Sequence, residues 1–152
     1  MAKSLTTPIP LTEAQMRELR IQLALLNHHV GVRLDLKDSD LDCLDLISRH
    51  GPLSPTALAR RAGMHPATIT GILDRLERGG WIARDRDPND RRAVTVRVLR
   101  ERAAEVLQQY GGMNSALDRI CAGYDAAQLE VLADFLARVT DAGRLATDEL
   151  TN

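Results

Sequence analysis

Two neighbouring arginines, Arg91 and Arg92, follow a turn-forming run that reads Asp87-Pro88-Asn89-Asp90. Proline presets φ, and asparagine and aspartate tolerate tight backbone geometry, so the run predicts a tight loop. An arginine on such a loop is suited to enter a DNA minor groove, where the negative potential attracts a guanidinium. The alternative is a solvated loop tip. We favour contact with DNA, and we expect the carboxylate of Asp90 to orient the guanidinium of Arg92.

Two short runs flank this loop and predict the strands of a hairpin. They span Trp81 to Arg86 and Ala93 to Val98. Every other residue of the second run is valine, which is the period of a half-buried strand. We call residues 86–92, at the tip of this hairpin, the wing. Trp81 is interpreted as a packing residue.

A helix is predicted over residues 65–78, immediately before the hairpin. Pro66 suits the first helical position, and Ile69, Ile72, Leu73 and Leu76 recur at helical spacing on one face. The opposite face is mostly small or polar and could approach base edges in a major groove. Thr68 could instead cap the first turn. The candidate DNA contacts are Pro66, Ala67, Thr68, Thr70, Gly71 and Arg75 in the helix, and Arg86, Asp90, Arg91 and Arg92 in the wing.

Positive charge is concentrated around these elements. The chain of 152 residues has a net charge of −1, yet residues 54–100 hold ten arginines against five acidic residues. The rest of the chain is therefore acidic. Because counterion release depends on local charge, a basic segment with acidic flanks suits phosphate binding. Arg60 and Arg61 are further phosphate candidates, although a solvated face is an equally good interpretation.

Both ends of the chain predict helices that need a partner. Thr12 and Gln15 form a capping box before a long helix with apolar residues on two faces. Leu99 to Ile120 repeats apolar residues in a heptad pattern interrupted at Gly111-Gly112, and Asp125 with Gln128 caps a last helix. We therefore expect residues 1–37 and 99–152 to form a helical dimerisation lobe. Residues 38–98 would form the DNA-binding lobe of a mainly α protein, a winged helix-turn-helix with a small β-hairpin.

The middle of the chain resembles the MarR (multiple antibiotic resistance regulator) family of bacterial transcription factors. The resemblance lies in Asp74-Arg75-Leu76-Glu77, in Gly80-Trp81-Ile82 and in the run from Arg86 to Ala93. It implies a winged-helix homodimer whose wing carries an Asp-x-Arg element, matched here by Asp90 and Arg92. Two positions depart from the family pattern. Gly71 stands where relatives often carry a longer polar or basic side chain, and Val98-Leu99 lacks the hydroxyl of the usual Leu-Thr, which removes a helix cap.

The resemblance also implies a ligand-responsive repressor. Two recognition helices of a dimer would enter successive major grooves of a pseudo-palindromic operator on double-stranded DNA. A small anionic or phenolic effector would bind between the first helix and the DNA-binding lobe. The candidate residues for that pocket are His28, His29 and, more weakly, Arg33. Ordinary interface histidines are the alternative, because adjacent helical residues point about 100° apart and cannot readily grip one ion.

Other classes of function find less support in the sequence. A winged helix that binds proteins rather than DNA is the main alternative, and it predicts that Arg91 and Arg92 are dispensable. We expect no enzyme, cofactor or metal site, because no nucleophile elbow, phosphate loop or metal-ligand spacing occurs. Cys43 is expected to be a buried apolar residue rather than a redox sensor. Without an apolar membrane span or signal sequence, the chain is predicted to be cytoplasmic.

Overall fold

The computed structural model describes residues 13–151 as seven helices and two strands. The elements are α1 (Glu13–Leu34), α2 (Asp38–His50), α3 (Pro55–Ala62), α4 (Pro66–Arg78), β1 (Ile82–Arg86), β2 (Val94–Val98), α5 (Arg100–Gln109), α6 (Gly111–Cys121) and α7 (Ala126–Thr151). This is the mainly helical class with a small hairpin that the sequence predicts. The chain divides into two compact units, with the boundary between Asp38 and Ser39.

Helix α1 makes up most of the described part of the first unit. It exposes several large apolar side chains: Leu19, Ile21, Leu23, Leu25 and Val32. The helix ends in a tight turn in which the N–H of Leu36 donates to the carbonyl of Gly31 at 2.8 Å. A Cβ atom on Gly31 would lie 2.7 Å from the carbonyl oxygen of Leu36, so the turn requires glycine. The capping box at Thr12 lies outside the described residues.

The core of the second unit is built by α2, α3, α4 and the hairpin. The predicted inward face of α4 is confirmed, since Ile69, Ile72, Leu73 and Leu76 are at most 1% exposed. Leu41, Leu44 and Ile47 form an apolar stripe on α2 that is also buried, and the same core is completed by Leu58, Trp81, Ile82 and Val96. Because these side chains from the helices and from the hairpin are buried together, they hold α4 against the hairpin.

Local capping signals set the limits of α3 and α4. Ser54 Oγ accepts from the N–H of Ala57 at 3.1 Å, and Gly63 ends α3 in a left-handed conformation with φ of 63°. His65 Nδ1 accepts from the N–H of Ala67 at 3.1 Å, ahead of Pro66 at the start of α4. The cap of α4 is therefore His65 rather than Thr68. These bonds satisfy donors that a helix start leaves unpaired.

The two strands pair in antiparallel register, with Arg84 opposite Val96 and Arg86 opposite Val94. Leu53 extends this sheet by exchanging two backbone hydrogen bonds with Val96, at 3.1 and 2.7 Å. This extra pairing joins the α2–α3 connection to the hairpin. Strand β2 therefore lies between β1 on one side and Leu53 on the other.

Helix α5 begins directly after the hairpin and contacts the end of α4. Leu99, at its N-cap, makes no side-chain capping bond, as the sequence predicts. The guanidinium of Arg102 lies 3.8 Å from the centroid of the Trp81 ring, and its Nη2 donates to the carbonyl of Gly79 at 3.5 Å. A cation over an aromatic face is attracted by the ring quadrupole. Arg102 therefore links α5 to the junction between α4 and β1.

The helices after the hairpin leave an apolar surface uncovered. The predicted interruption is confirmed, because α5 ends at Gln109 and α6 starts at Gly111. Asp125 and Gln128 exchange capping bonds of 2.9 and 2.8 Å at the start of α7. No residue of α5, α6 or α7 is buried. None of the helices within residues 13–151 combines the length and hydropathy needed to cross a membrane.

Candidate nucleic-acid interface

The exposed face of α4 carries small or polar residues near the start of the helix. Pro66, Ala67, Thr68 and Thr70 are exposed, and Gly71 is half-buried. The hydroxyl of Thr70 donates to the carbonyl of Pro66 at 3.1 Å, which leaves its oxygen lone pairs as acceptors. A Cβ atom on Gly71 would make only an ordinary contact of 3.7 Å with Arg75 Nη1. The fold therefore does not require glycine at position 71. Its effect is that no side chain protrudes from this part of the α4 surface.

Arg75 has a role that the sequence analysis did not foresee. Its Nε and Nη2 donate to the two carboxylate oxygens of Asp40, at 3.0 and 2.6 Å. The Asp40 side chain is only 4% exposed, and hydrogen bonding to it raises the pKa of Arg75. Removing the guanidinium would leave the buried carboxylate of Asp40 without a counter-ion. The guanidinium of Arg75 therefore joins α4 to α2, and its assignment as a DNA contact stays a prediction.

A second arginine joins α4 to the hairpin. Arg84 of β1 donates through Nη2 to Asp74 Oδ1 at 2.7 Å, and through Nη1 to Glu77 Oε2. These hydrogen bonds, with that to Asp74 the largest cause, raise the pKa of Arg84. The side chain is 27% exposed, so this ion pair is only partly solvated. In the sequence, Arg84 is one of the ten arginines of residues 54–100, and its ion-pair partners are not evident there.

The wing is shaped by backbone hydrogen bonds to aspartates. Asp87 Oδ1 accepts from the N–H of Asn89 at 2.8 Å, and Asp90 Oδ1 accepts from the N–H of Arg92 at 3.0 Å. The N–H of Asp87 donates to the carbonyl of Ala93 at 2.9 Å and closes the loop. Asp90 thus orients Arg92 through its backbone, and not through the guanidinium as the sequence analysis expects. Such aspartate turns hold a loop without a regular ladder.

The ten arginines of residues 54–100 fall into two groups. Arg75, Arg84 and Arg97 are paired with carboxylates, the last of them with Asp85 at 2.8 Å. A second group is exposed and has no ion-pair partner within the described part of the chain: Arg60, Arg61, Arg78, Arg86, Arg91, Arg92 and Arg100. Three of these seven lie in the wing. Unpaired guanidiniums at a loop tip keep their full charge for an external anion.

The candidate effector residues are exposed on α1. His28 Nδ1 lies 3.0 Å from Asp38 Oδ1, and the rings of His28 and His29 meet edge to face with centroids 5.7 Å apart. Arg33 is also exposed. A cleft of about 790 Å³ is lined by Gly80 and residues 97–102, and none of the three candidates lines it. Their assignment to an effector pocket stays a prediction.

No group of three or more potential metal ligands comes together in residues 13–151. Cys43 is 0% exposed, in agreement with the expected buried, apolar role. Burial, together with the charges of Asp42 and Asp40, raises the pKa of the Cys43 thiol to about 11. Thiolate is the reactive form, so this environment suppresses its nucleophilicity at neutral pH.

The chain is similar to known transcriptional regulators. The family model described as "MarR family" matches residues 36–94. The uncharacterized HTH-type transcriptional regulator YcgE of Bacillus subtilis is 27% identical over 125 residues, which cover 82% of this chain and 81% of that protein. The HTH-type transcriptional repressor YetL, also of Bacillus subtilis, is 32% identical over 84 residues, or 55% of this chain and 50% of that protein. The crystal structure of NadR in complex with 4-hydroxyphenylacetate superposes with a TM-score of 0.65 at 22% identity, covering 91% of this chain and 96% of NadR.

Proposed function

We propose that this chain is a DNA-binding transcriptional regulator of the MarR family and that it acts as a homodimeric, ligand-responsive repressor; the family model over residues 36–94 and the likeness to YcgE and YetL support the family. In this proposal α4 enters the major groove and the wing enters the adjacent minor groove of a pseudo-palindromic operator. The observation that carries it is the state of the wing arginines. Arg91 and Arg92 are exposed without an ion-pair partner, on a loop whose shape is fixed by backbone bonds.

Dimerisation is supported by the uncovered apolar side chains of α5, α6 and α7. Leu107, Leu117, Ile120, Val131 and Leu136 are between 48 and 69% exposed. Large apolar side chains exposed along three helices indicate a surface that another molecule covers. A two-fold dimer would place the two α4 helices about one helical turn of DNA apart, roughly 34 Å. Sedimentation of the purified chain as a monomer at micromolar concentration would contradict this arrangement.

The first experiment is a binding selection on genomic fragments with purified protein, followed by affinity measurements on the selected operator. Arg92→Ala should weaken binding by about 10- to 100-fold, the usual range for loss of one specific arginine contact. Arg138→Ala is the matched control. It also removes one positive charge, from an exposed pair with Asp134 on α7, and it should bind within about twofold of the wild type. Unchanged affinity of Arg92→Ala at moderate salt contradicts the wing assignment.

Asp90 offers a sharper test of how the wing works. An Asp90→Asn side chain still carries an oxygen that can accept from the Arg92 N–H, and the change removes a negative charge near the DNA. We therefore expect Asp90→Asn to bind at least as tightly as the wild type, and Asp90→Ala to bind several-fold more weakly. Equal weakening by both substitutions would show that the aspartate acts through its charge on the guanidinium.

Direct base readout by α4 is tested at Thr70. Its hydroxyl oxygen is exposed and can accept a hydrogen bond from a base edge. Thr70→Val should change sequence preference at one operator position while leaving the salt dependence intact. An equal loss of affinity on all sequences would refute direct readout at this residue.

We further propose a small anionic or phenolic effector, with His28, His29 and Arg33 as candidate pocket residues. Support comes from the structural likeness to NadR, which binds 4-hydroxyphenylacetate. An effector can release DNA only if it binds the two conformations of the dimer with different affinity. The experiment titrates 4-hydroxyphenylacetate against the protein–operator complex, with 4-methylphenol as the probe that lacks the carboxylate. Release by the acid in the wild type but not in a His28→Ala, His29→Ala variant supports the pocket; no release contradicts this effector class.

A further inference from the structure

Arg84 lies on the inner face of the hairpin but makes its ion pairs with α4. It pairs in register with Val96, which is 0% exposed, and it is two residues from Ile82, which is 2% exposed. Alternate residues of a strand share a face, so Arg84 belongs to the row that packs on the core. From there its guanidinium reaches two carboxylates one helical turn apart, Asp74 and Glu77. It is thus a bridge between the recognition helix and the wing strand.

The geometry of this bridge is well suited to fix an angle. A guanidinium is planar with donors in a rigid fork, and Arg84 uses two different nitrogens for two different carboxylates. Such an arrangement restrains rotation of β1 relative to α4 as well as their separation. On its other side α4 is held to α2 by the bidentate pair between Arg75 and Asp40. The helix therefore serves as the fixed partner, and the hairpin is the element that Arg84 orients.

The hairpin transmits that orientation to its tip. Five residue pairs run from Ile82–Val98 to Arg86–Val94, and Arg97 of β2 is tied to Asp85 of β1. The wing loop beyond them is closed by the bond between Asp87 and Ala93. Arg84 is only two residues from the start of the wing. A rigid two-stranded ribbon that is rotated at Arg84 moves Arg91 and Arg92 with it.

We propose that Arg84 is a positioning residue that sets the angle between α4 and the wing, so that both reach their adjacent grooves in one binding event. The inference rests on the proposed function, because it presumes that α4 and the wing both contact DNA. Arg84 itself need not touch the duplex. Its contribution is to hold the wing in place before binding, which lowers the entropic cost of ordering the wing on DNA.

The test compares Arg84→Lys in two backgrounds on the selected operator. Lysine keeps the charge and most of the length but has a single ammonium, so it loses the fork. In the wild-type background, Arg84→Lys should weaken binding by about 10-fold, because the wing is no longer preorganised. In an Arg91→Ala, Arg92→Ala background the same change should have less than about a twofold effect, since coupled sites are not additive. Arg49→Lys is the matched control: it alters an exposed pair with Asp45 within α2, and we expect less than about a twofold effect.

Methylation protection separates positioning from a general loss of structure. Dimethyl sulfate modifies guanine N7 in the major groove and adenine N3 in the minor groove, so one reagent reports on both elements. Arg84→Lys at saturating protein should retain guanine protection and lose adenine protection. A variant that is merely unfolded in part would lose both together at equal occupancy.

The outcomes distinguish the two proposals. If the wild type selects no operator, or if Arg91→Ala, Arg92→Ala binds normally, the proposed function fails. If those results are as expected but Arg84→Lys binds like the wild type, or weakens binding equally in both backgrounds, Arg84 does not act through the wing and the positioning role is overturned.

Discussion

The ion pair between Asp40 and Arg75 gives a prediction in which the two halves of one interaction are unequal. The Asp40 side chain is 4% exposed, whereas that of Arg75 is 38% exposed. Loss of Arg75 leaves a carboxylate that is buried and lacks its counter-ion. Loss of the Asp40 charge leaves a guanidinium that can turn toward water. Substitution of Arg75 on α4 should therefore destabilise the protein more than substitution of Asp40 on α2.

The structure sets the scale of both effects. Breaking a buried pair by removing one partner costs about 3–5 kcal/mol when both groups are inaccessible. Because Arg75 is partly solvated, we place Arg75→Met at the lower end, about 3 kcal/mol. Asp40→Asn retains the side-chain shape and one acceptor, and it should cost about 1–2 kcal/mol. The double variant should be less destabilised than the sum of the single variants, by about 1–3 kcal/mol.

The measurement is urea unfolding at one protein concentration, because a dimer's apparent stability depends on concentration. Unchanged m-values are needed before the midpoints are compared. Arg49→Met is the matched control, since its pair with Asp45 is exposed on both sides at 70 and 55%, and it should change stability by less than about 0.5 kcal/mol. If Arg75→Met is no more harmful than Arg49→Met, or if Asp40→Asn is the worse of the two pair variants, the reasoning from burial is wrong.

Two further predictions concern a thiol and a turn. Because the pKa of Cys43 is raised from 9.0 to about 11, the folded state holds its proton at a pH where the unfolded state releases it. The unfolding free energy should therefore fall by roughly 2–3 kcal/mol as pH rises from about 9 to about 11. Cys43→Ala should flatten that part of the pH profile, and an unchanged slope would contradict the assignment. Gly31→Ala should destabilise the protein by about 1–3 kcal/mol because its Cβ would clash with the carbonyl of Leu36. Gly143→Ala, which meets nothing within 4 Å in α7, is its control and should be neutral or slightly stabilising.

Helix α4 could be predicted from the sequence because its determinants are local. The residues that begin it, His65 and Pro66, and those that line its buried face lie within fourteen positions of one another. The hairpin follows from similar short-range signals, namely alternating valines and a loop rich in aspartate. The interruption after α5 was also visible, because glycine is a poor helix former. Short-range sequence signals are sufficient to predict each of these elements without knowledge of the tertiary packing.

The roles of Arg75 and Arg84 could not be predicted in this way. Asp40 lies 35 positions from Arg75 in the sequence, and Asp74 lies 10 positions from Arg84. Whether these residues pair depends on how α4 crosses its neighbours. Periodicity does not give that crossing. One signal was available: Asp40 stands at helical spacing with Leu44 and Ile47, in a stripe that is otherwise apolar. A carboxylate in such a stripe requires a partner when buried, although the sequence does not say which arginine supplies it.

Net charge alone therefore misstates what this surface offers to DNA. The count for residues 54–100 treats every arginine alike, whereas the partly solvated pairs of Arg75, Arg84 and Arg97 hold secondary structure together. The wing aspartates do the reverse, because they accept from backbone N–H groups and leave the neighbouring guanidiniums unpaired. A loop made rigid by side-chain ion pairs would have to give them up before binding a phosphate. A loop held by Asp87 and Asp90 through its backbone is shaped in advance while its arginines remain available, which lowers the ordering cost of association.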